Sequence, residues 1–143
     1  MIRIDIPEQD AADPYGHASR NHAREIMAAG GGFSKAVYQH SLLSLREFEG
    51  ARSRTAQING CIICQQFRAA RDAPSMFAAT GQRPGHTVAD NGPAPDEAFY
   101  AAVEDWRTSP LFSPRERIAI EFAERFAEEP KQIAQDEGFW GRA

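Results

Sequence analysis

The sequence predicts an all-α fold, for three reasons. Successive segments repeat apolar residues at helical spacing, and most of them start and stop at recognisable caps. The one alternating stretch, Ile2-Arg3-Ile4-Asp5-Ile6, is too short and solitary to build a sheet. With 143 residues, 42% hydrophobic and 25% charged, the chain suits a single helical domain spanning 1–143, with residues 1–12 as an extended arm.

Asp13-Pro14 starts the first helix, Asp as cap and Pro preset for the first turn; Ala18, His22, Ala23, Ile26 and Met27 follow at helical spacing, and Gly30-Gly31-Gly32 ends it. Ser34 caps a short second helix carrying Val37 and Tyr38. Ser44-Leu45-Arg46-Glu47 has capping-box form and opens a third, with Phe48, Ala51, Thr55 and Ile58 on one face. Asn59-Gly60 stops it, and Cys61 begins a fourth helix reaching about Arg71. Residues 72–94, rich in Pro, Gly, Asp and Thr, are expected to form a mobile loop, with Met76-Phe77 as one helical turn; loops of this length serve as site covers or as connectors. Pro95-Asp96 opens a helix bearing Phe99, Ala102, Val103 and Trp106. Ser113-Pro114-Arg115-Glu116 opens another, in which Ile118, Ala119, Phe122, Ala123, Phe126 and Ala127 form a double apolar stripe ending at Pro130. Phe139 and Trp140 stand so near the end that a neighbouring subunit is the expected cover.

A net charge of −4 and a pI near 5.6, with both signs interleaved, supply no cationic stripe for nucleic acid or anionic lipid. No apolar run approaches membrane-spanning length and the first residues lack a signal-peptide core, so a cytoplasmic protein is expected. In a reducing compartment two cysteines three apart point to a redox or metal-binding pair rather than a staple. On one helix, Cys61 and Cys64 share a face at a separation a disulfide tolerates, and first-turn N–H groups favour the thiolate, most of all at Cys61. Two bland readings compete. The cysteines could be inert core residues, or half of a zinc site completed by His17, His22, His40 or His86, although those histidines lack the usual spacing.

Glu49 lies twelve residues before Cys61, where a helix–turn–helix could bring its carboxylate to the sulfurs; the plain alternative is a solvated glutamate pairing with Arg46 or Arg52. Arg68, four after Cys64, is expected on the cysteine face, where a guanidinium would favour thiolate.

The run Glu49-Gly-Ala-Arg-Ser-Arg-Thr-Ala-Gln-Ile-Asn-Gly-Cys61-Ile-Ile-Cys64, with Asp105-Trp106-Arg107-Thr108-Ser109-Pro110-Leu111-Phe112-Ser113 and Arg115-Glu116-Arg117 downstream, resembles the carboxymuconolactone decarboxylase/AhpD-like family over about residues 33 to 140. The resemblance implies an AhpD-like helical bundle and a homo-oligomer, trimer or hexamer. It also implies reduction of alkyl hydroperoxides by Cys61 and Cys64 with Glu49 relaying protons, and the second cysteine, Cys64, meeting the peroxide. The family's relay histidine falls where this chain has Arg68, and another inside the CxxC is Ile63 here. A guanidinium stays protonated and cannot exchange protons near neutrality, so Glu49 would act alone or through water, or His40 or Tyr38 would reach the site from the second helix. Relatives continue past the Phe-Trp segment with another helix, so the chain reads as a shortened member or a fragment.

The expected function is thus a thiol-dependent peroxidase or disulfide oxidoreductase that takes a small hydroperoxide or disulfide, is restored by a cellular thiol reductant, and needs no metal or organic cofactor. The alternatives are a non-catalytic redox sensor or oligomeric scaffold, and a decarboxylase or isomerase in which Arg68 clamps a small cyclic acid and Glu49 is the base.

Overall fold

Side-chain caps set most helix starts in this chain. The computed structural model describes residues 5–74 and 93–143. Among them a 3-10 turn at Glu8–Asp10 precedes α1 (Pro14–Asn21), α2 (Arg24–His40), α3 (Leu45–Ile58), α4 (Ile62–Gln66) and α5 (Ala69–Asp72). There follow α6 (Glu97–Ala102), α7 (Pro114–Glu128), α8 (Pro130–Ala134) and α9 (Glu137–Trp140), with no strand among the described residues. The fold is all-α, and no helix among the described residues is long and apolar enough to cross a membrane. Most of the expected 72–94 loop, with its Met76-Phe77 turn and His86, lies outside the described residues, and Asp72 itself closes α5. The chain divides into two compact units, Met1–Tyr38 and Gln39–Ala143.

In the first unit the expected extended arm is interrupted by the turn at Glu8–Asp10. Asp13 caps α1, its carboxylate accepting the Gly16 N–H at 2.8 Å, with Pro14 at the first helical position. The first helix does not run to the glycines. Asn21 turns its amide back onto the His17 carbonyl at 3.0 Å, His22 is extended, and Ala23 takes a left-handed φ of 50°, so the chain breaks and restarts at Arg24. α2 then passes straight through Gly30–Gly32, because glycine weakens a helix by about 1 kcal/mol without forbidding it. Ser34 therefore caps nothing. His17 is buried, its Nδ1 2.6 Å from an Asp10 carboxylate oxygen.

The second unit is organised by α3 and α7, whose N-termini mirror each other. Ser44 and Ser113 each accept the N–H three residues on, and Glu47 and Glu116 return a carboxylate to the cap N–H at 2.8 and 2.7 Å. Each box also binds the other helix: Arg46 donates to Glu116 at 2.5 Å and Arg115 to Glu47 at 2.7 Å. Four residues on, Gly50 meets Ile120, and a Cβ there would stand 3.0 Å from Ile120 Cγ1. Four further, Arg54 donates to Glu124 at 2.6 Å. The matched steps 46/116, 50/120 and 54/124 make the two helices run in parallel. Phe99, Tyr100, Val103, Trp106, Phe112 and Ile120 form the core beside them. Arg117 holds the turn after α6 by donating to the carbonyls of Trp106, Arg107 and Ser109.

This register overturns the expected role of the α7 stripe. The face against α3 carries Glu116, Ile120 and Glu124, while Phe122 is 39% and Phe126 61% exposed. Arginines on α3 select the glutamates, and the phenylalanines are turned outward with them. Phe139, expected to need a neighbour, is 1% exposed, stacked on Phe122 at 6.3 Å with Arg125 at 5.7 Å; Trp140 remains 46% exposed.

Candidate functional site

Helix α3 ends as the sequence requires. Gly60, at φ 63°, occupies the left-handed position; its N–H bonds to Gln57 O and that of Cys61 to Ala56 O, both at 3.1 Å, a Schellman closure. The closure delivers Cys61 directly to the cap of α4, where its sulfur accepts the Cys64 N–H at 3.3 Å. Cys61 and Cys64 are joined in a disulfide with Cα atoms 5.3 Å apart. Cys64 is exposed and Cys61, the thiol the first-turn argument favoured, is half-buried; neither is an inert core thiol.

The fourth helix is much shorter than expected. α4 has five residues; Phe67 (ψ 136°) and Arg68 (ψ 110°) are extended, and α5 restarts at Ala69. A helix this short has little macrodipole, so what reaches Cys61 Sγ is the local Cys64 N–H rather than a long-helix field. The break also removes Arg68 from the cysteine face. Its guanidinium donates to Glu97 at 3.0 and 2.9 Å and to the Gln65 and Phe67 carbonyls, and stacks 3.9 Å over the Tyr100 ring. The Arg68 hydrogen bond holds the Glu97 carboxyl below the usual range.

Glu49 has no exposed surface. It pairs with Arg52, as the plain reading supposed, yet it is not solvated. Arg52 Nε donates at 2.7 Å and Nη2 at 3.1 Å, the Ala69 N–H at 3.3 Å and the Tyr100 hydroxyl at 2.6 Å. Three of these donors fall on Oε2 and one on Oε1, so the carboxylate is held by charged, hydroxyl and backbone donors at once. Burial, and then the hydrogen bond to Glu49, push the Tyr100 phenol up, so that it stays a neutral donor.

Arg52 also donates to the backbone around the break. Nη1 donates to the Cys64 carbonyl at 2.6 Å and Nη2 to that of Phe67 at 2.8 Å. Thus Glu49 and Cys64 are brought together through one guanidinium. Ser53, Gln57, Gln65, Arg68, Glu97, Tyr100 and Ala101 line an adjoining cleft of about 200 Å³. Tyr38 is the buried last residue of the first unit, and His40 is exposed on the last turn of α2.

Arg52 and Tyr100 were not legible as site residues. Arg52 looked like a surface partner of Glu49, and Tyr100 adjoins the Phe99 face with no spacing that ties it to a residue 51 positions earlier. No protein-family model, curated protein or solved structure matches the chain.

Proposed function

We propose that this chain is a dithiol–disulfide oxidoreductase that reduces small hydroperoxides with Cys61 and Cys64, in the manner of the carboxymuconolactone decarboxylase/AhpD-like proteins it resembles. The observation that carries the reading is a Cys61–Cys64 disulfide at an accessible helix start, its Cys64 carbonyl bound by the same Arg52 that pairs with the buried Glu49. Exposure nominates Cys64 as the attacking thiolate. Its sulfur takes the distal oxygen of the hydroperoxide, the O–O bond breaks, and the alkoxide leaves as the alcohol after gaining a proton. The resulting sulfenic acid is attacked by Cys61, hydroxide departs as water, and the disulfide closes. A cellular dithiol returns two electrons and two protons, which places the cycle in a reducing compartment such as the cytoplasm. The outward Phe122, Phe126 and Trp140 fit burial in a homo-oligomer, trimer or hexamer.

The decisive experiment is hydroperoxide consumption with excess dithiothreitol by wild type, Cys61→Ser and Cys64→Ser. Turnover is expected in wild type only. After one equivalent of peroxide, Cys61→Ser is expected to retain a sulfenic acid at Cys64 by mass spectrometry; no turnover and no sulfenic acid in any form would end the reading. Redox sensing without turnover is the second reading, favoured by the full burial of Glu49 against the Arg52 guanidinium. It requires a wild type that forms the disulfide with peroxide but does not cycle.

A further inference from the structure

We infer that Arg52 is a positioning residue for the disulfide, setting how readily Cys61 and Cys64 interconvert between dithiol and disulfide. The inference rests on the dithiol–disulfide reading above and deepens it.

Four guanidinium bonds carry it. Two hold the buried Glu49 and two hold the Cys64 and Phe67 carbonyls. The Cys64 carbonyl belongs to a five-residue helix with little internal hydrogen bonding of its own. The break at Phe67 and Arg68 leaves that helix without continuation, so α4 gains little rigidity from its own length. Arg52 supplies that rigidity from α3, and α3 is fixed by its capping box and by the ladder to α7. The Phe67 ring lies 5.2 Å from the same guanidinium, a further contact across the break.

Opening the S–S bond breaks none of these four bonds, which run to carboxylate and carbonyl oxygens. The Cys64 backbone therefore stays where the disulfide put it, and Cys61 stays fixed by the Schellman closure. Two thiols held near bonding distance have a high effective concentration, and that favours the disulfide. Arginine is required for this work. A lysine can neutralise Glu49, but a single ammonium cannot span a carboxylate and two carbonyls in a planar fork.

The test uses exchange with dithiothreitol. The protein dithiol and oxidised dithiothreitol give the protein disulfide and reduced dithiothreitol, with two electrons and two protons passing between them, and alkylation followed by mass measurement reads the equilibrium. Arg52→Lys is expected to lower the disulfide-forming constant about tenfold, about 30 mV for a two-electron couple, while helicity by circular dichroism stays unchanged. The double variant Glu49→Gln with Arg52→Gln, which leaves no buried charge, is expected to shift it the same way. In wild type, the Ala69 amide, which donates to Glu49, is expected to exchange slowly with solvent in both redox states. An unchanged constant in either variant overturns the inference, as does rapid Ala69 exchange on reduction; the exchange measurement decides even if both variants fail to fold. A wild type that forms no reversible disulfide defeats instead the function on which the inference rests.

Discussion

Two glutamates on neighbouring helices are buried in similar style and put to different use. Glu124 on α7 is 4% exposed and accepts from Arg54, Arg107 and the Trp106 indole. Glu49 on α3 is fully buried and accepts from Arg52, Tyr100 and a backbone N–H. Each carboxylate accepts from arginine and from an aromatic donor. They differ in what the arginine does next. Arg54 turns to the Gln57 side chain at 3.1 Å, still within α3, whereas Arg52 reaches the carbonyl of Cys64. Burial and pairing alone mark a strut. A site is marked by a strut that ends on reactive chemistry.

The largest expected effect separates the two. Glu124→Ala strands Arg54 and the Trp106 N–H and is expected to cost about 3–5 kcal/mol in denaturant unfolding, while the dithiol–disulfide constant of the folded fraction stays at the wild-type value. Should that constant move with Glu124, the contrast between the two glutamates would collapse. Smaller is Tyr100→Phe, which removes one donor from Glu49 and is expected to cost about 1–3 kcal/mol. Tyr100 is also expected to be the last of the tyrosines to give phenolate absorbance. Its folded pKa lies above the unfolded one, so its stabilisation is complete below about pH 10 and lost as pH rises beyond.

Acid titration sharpens the Glu124 side. Burial opposes its charge, but hydrogen bonds from Arg107, Trp106 and Arg54 outweigh it; at Glu116 burial is likewise outweighed, by Arg46 and the Ser113 N–H, so both carboxyls titrate below the usual range. Their stabilisation is present above the ordinary glutamate pKa and disappears as pH falls through the depressed values. The melting temperature is therefore expected to hold level near neutrality and to decline below about pH 4.5. The smallest effect belongs to the outward face. Phe126→Ser is expected to change unfolding free energy by less than about 0.5 kcal/mol at concentrations where light scattering reports a monomer. A larger change there would mean that Phe126 supports the fold.

Much of the site could be read in advance because it is local. A carboxylate at 49, an Asn-Gly stop and a CxxC obey short-range rules, and the Schellman closure at Gly60 joins them in one step. The α6 start at Asp96 and the two capping boxes were equally local and stand where the spacing put them. The failures were of reach. Helical period identified a stripe on α7 but not which side met α3, since a paired glutamate can be buried as readily as a phenylalanine when an arginine waits opposite. Arg68 was placed on the cysteine face by assuming that α4 continued, and the backbone break moved it onto Tyr100 and Glu97.

What the chain's own order of residues determined was the helical class, most of the caps and the closeness of the two cysteines, all consequences of bonds spanning four residues or fewer. What only the tertiary structure decided was which charges are buried, which aromatic face is left outside and what ties the Cys64 backbone to α3. Those outcomes depend on partners 12 to 70 positions apart. Desolvation sets such pairs as a group, and no local pattern records it.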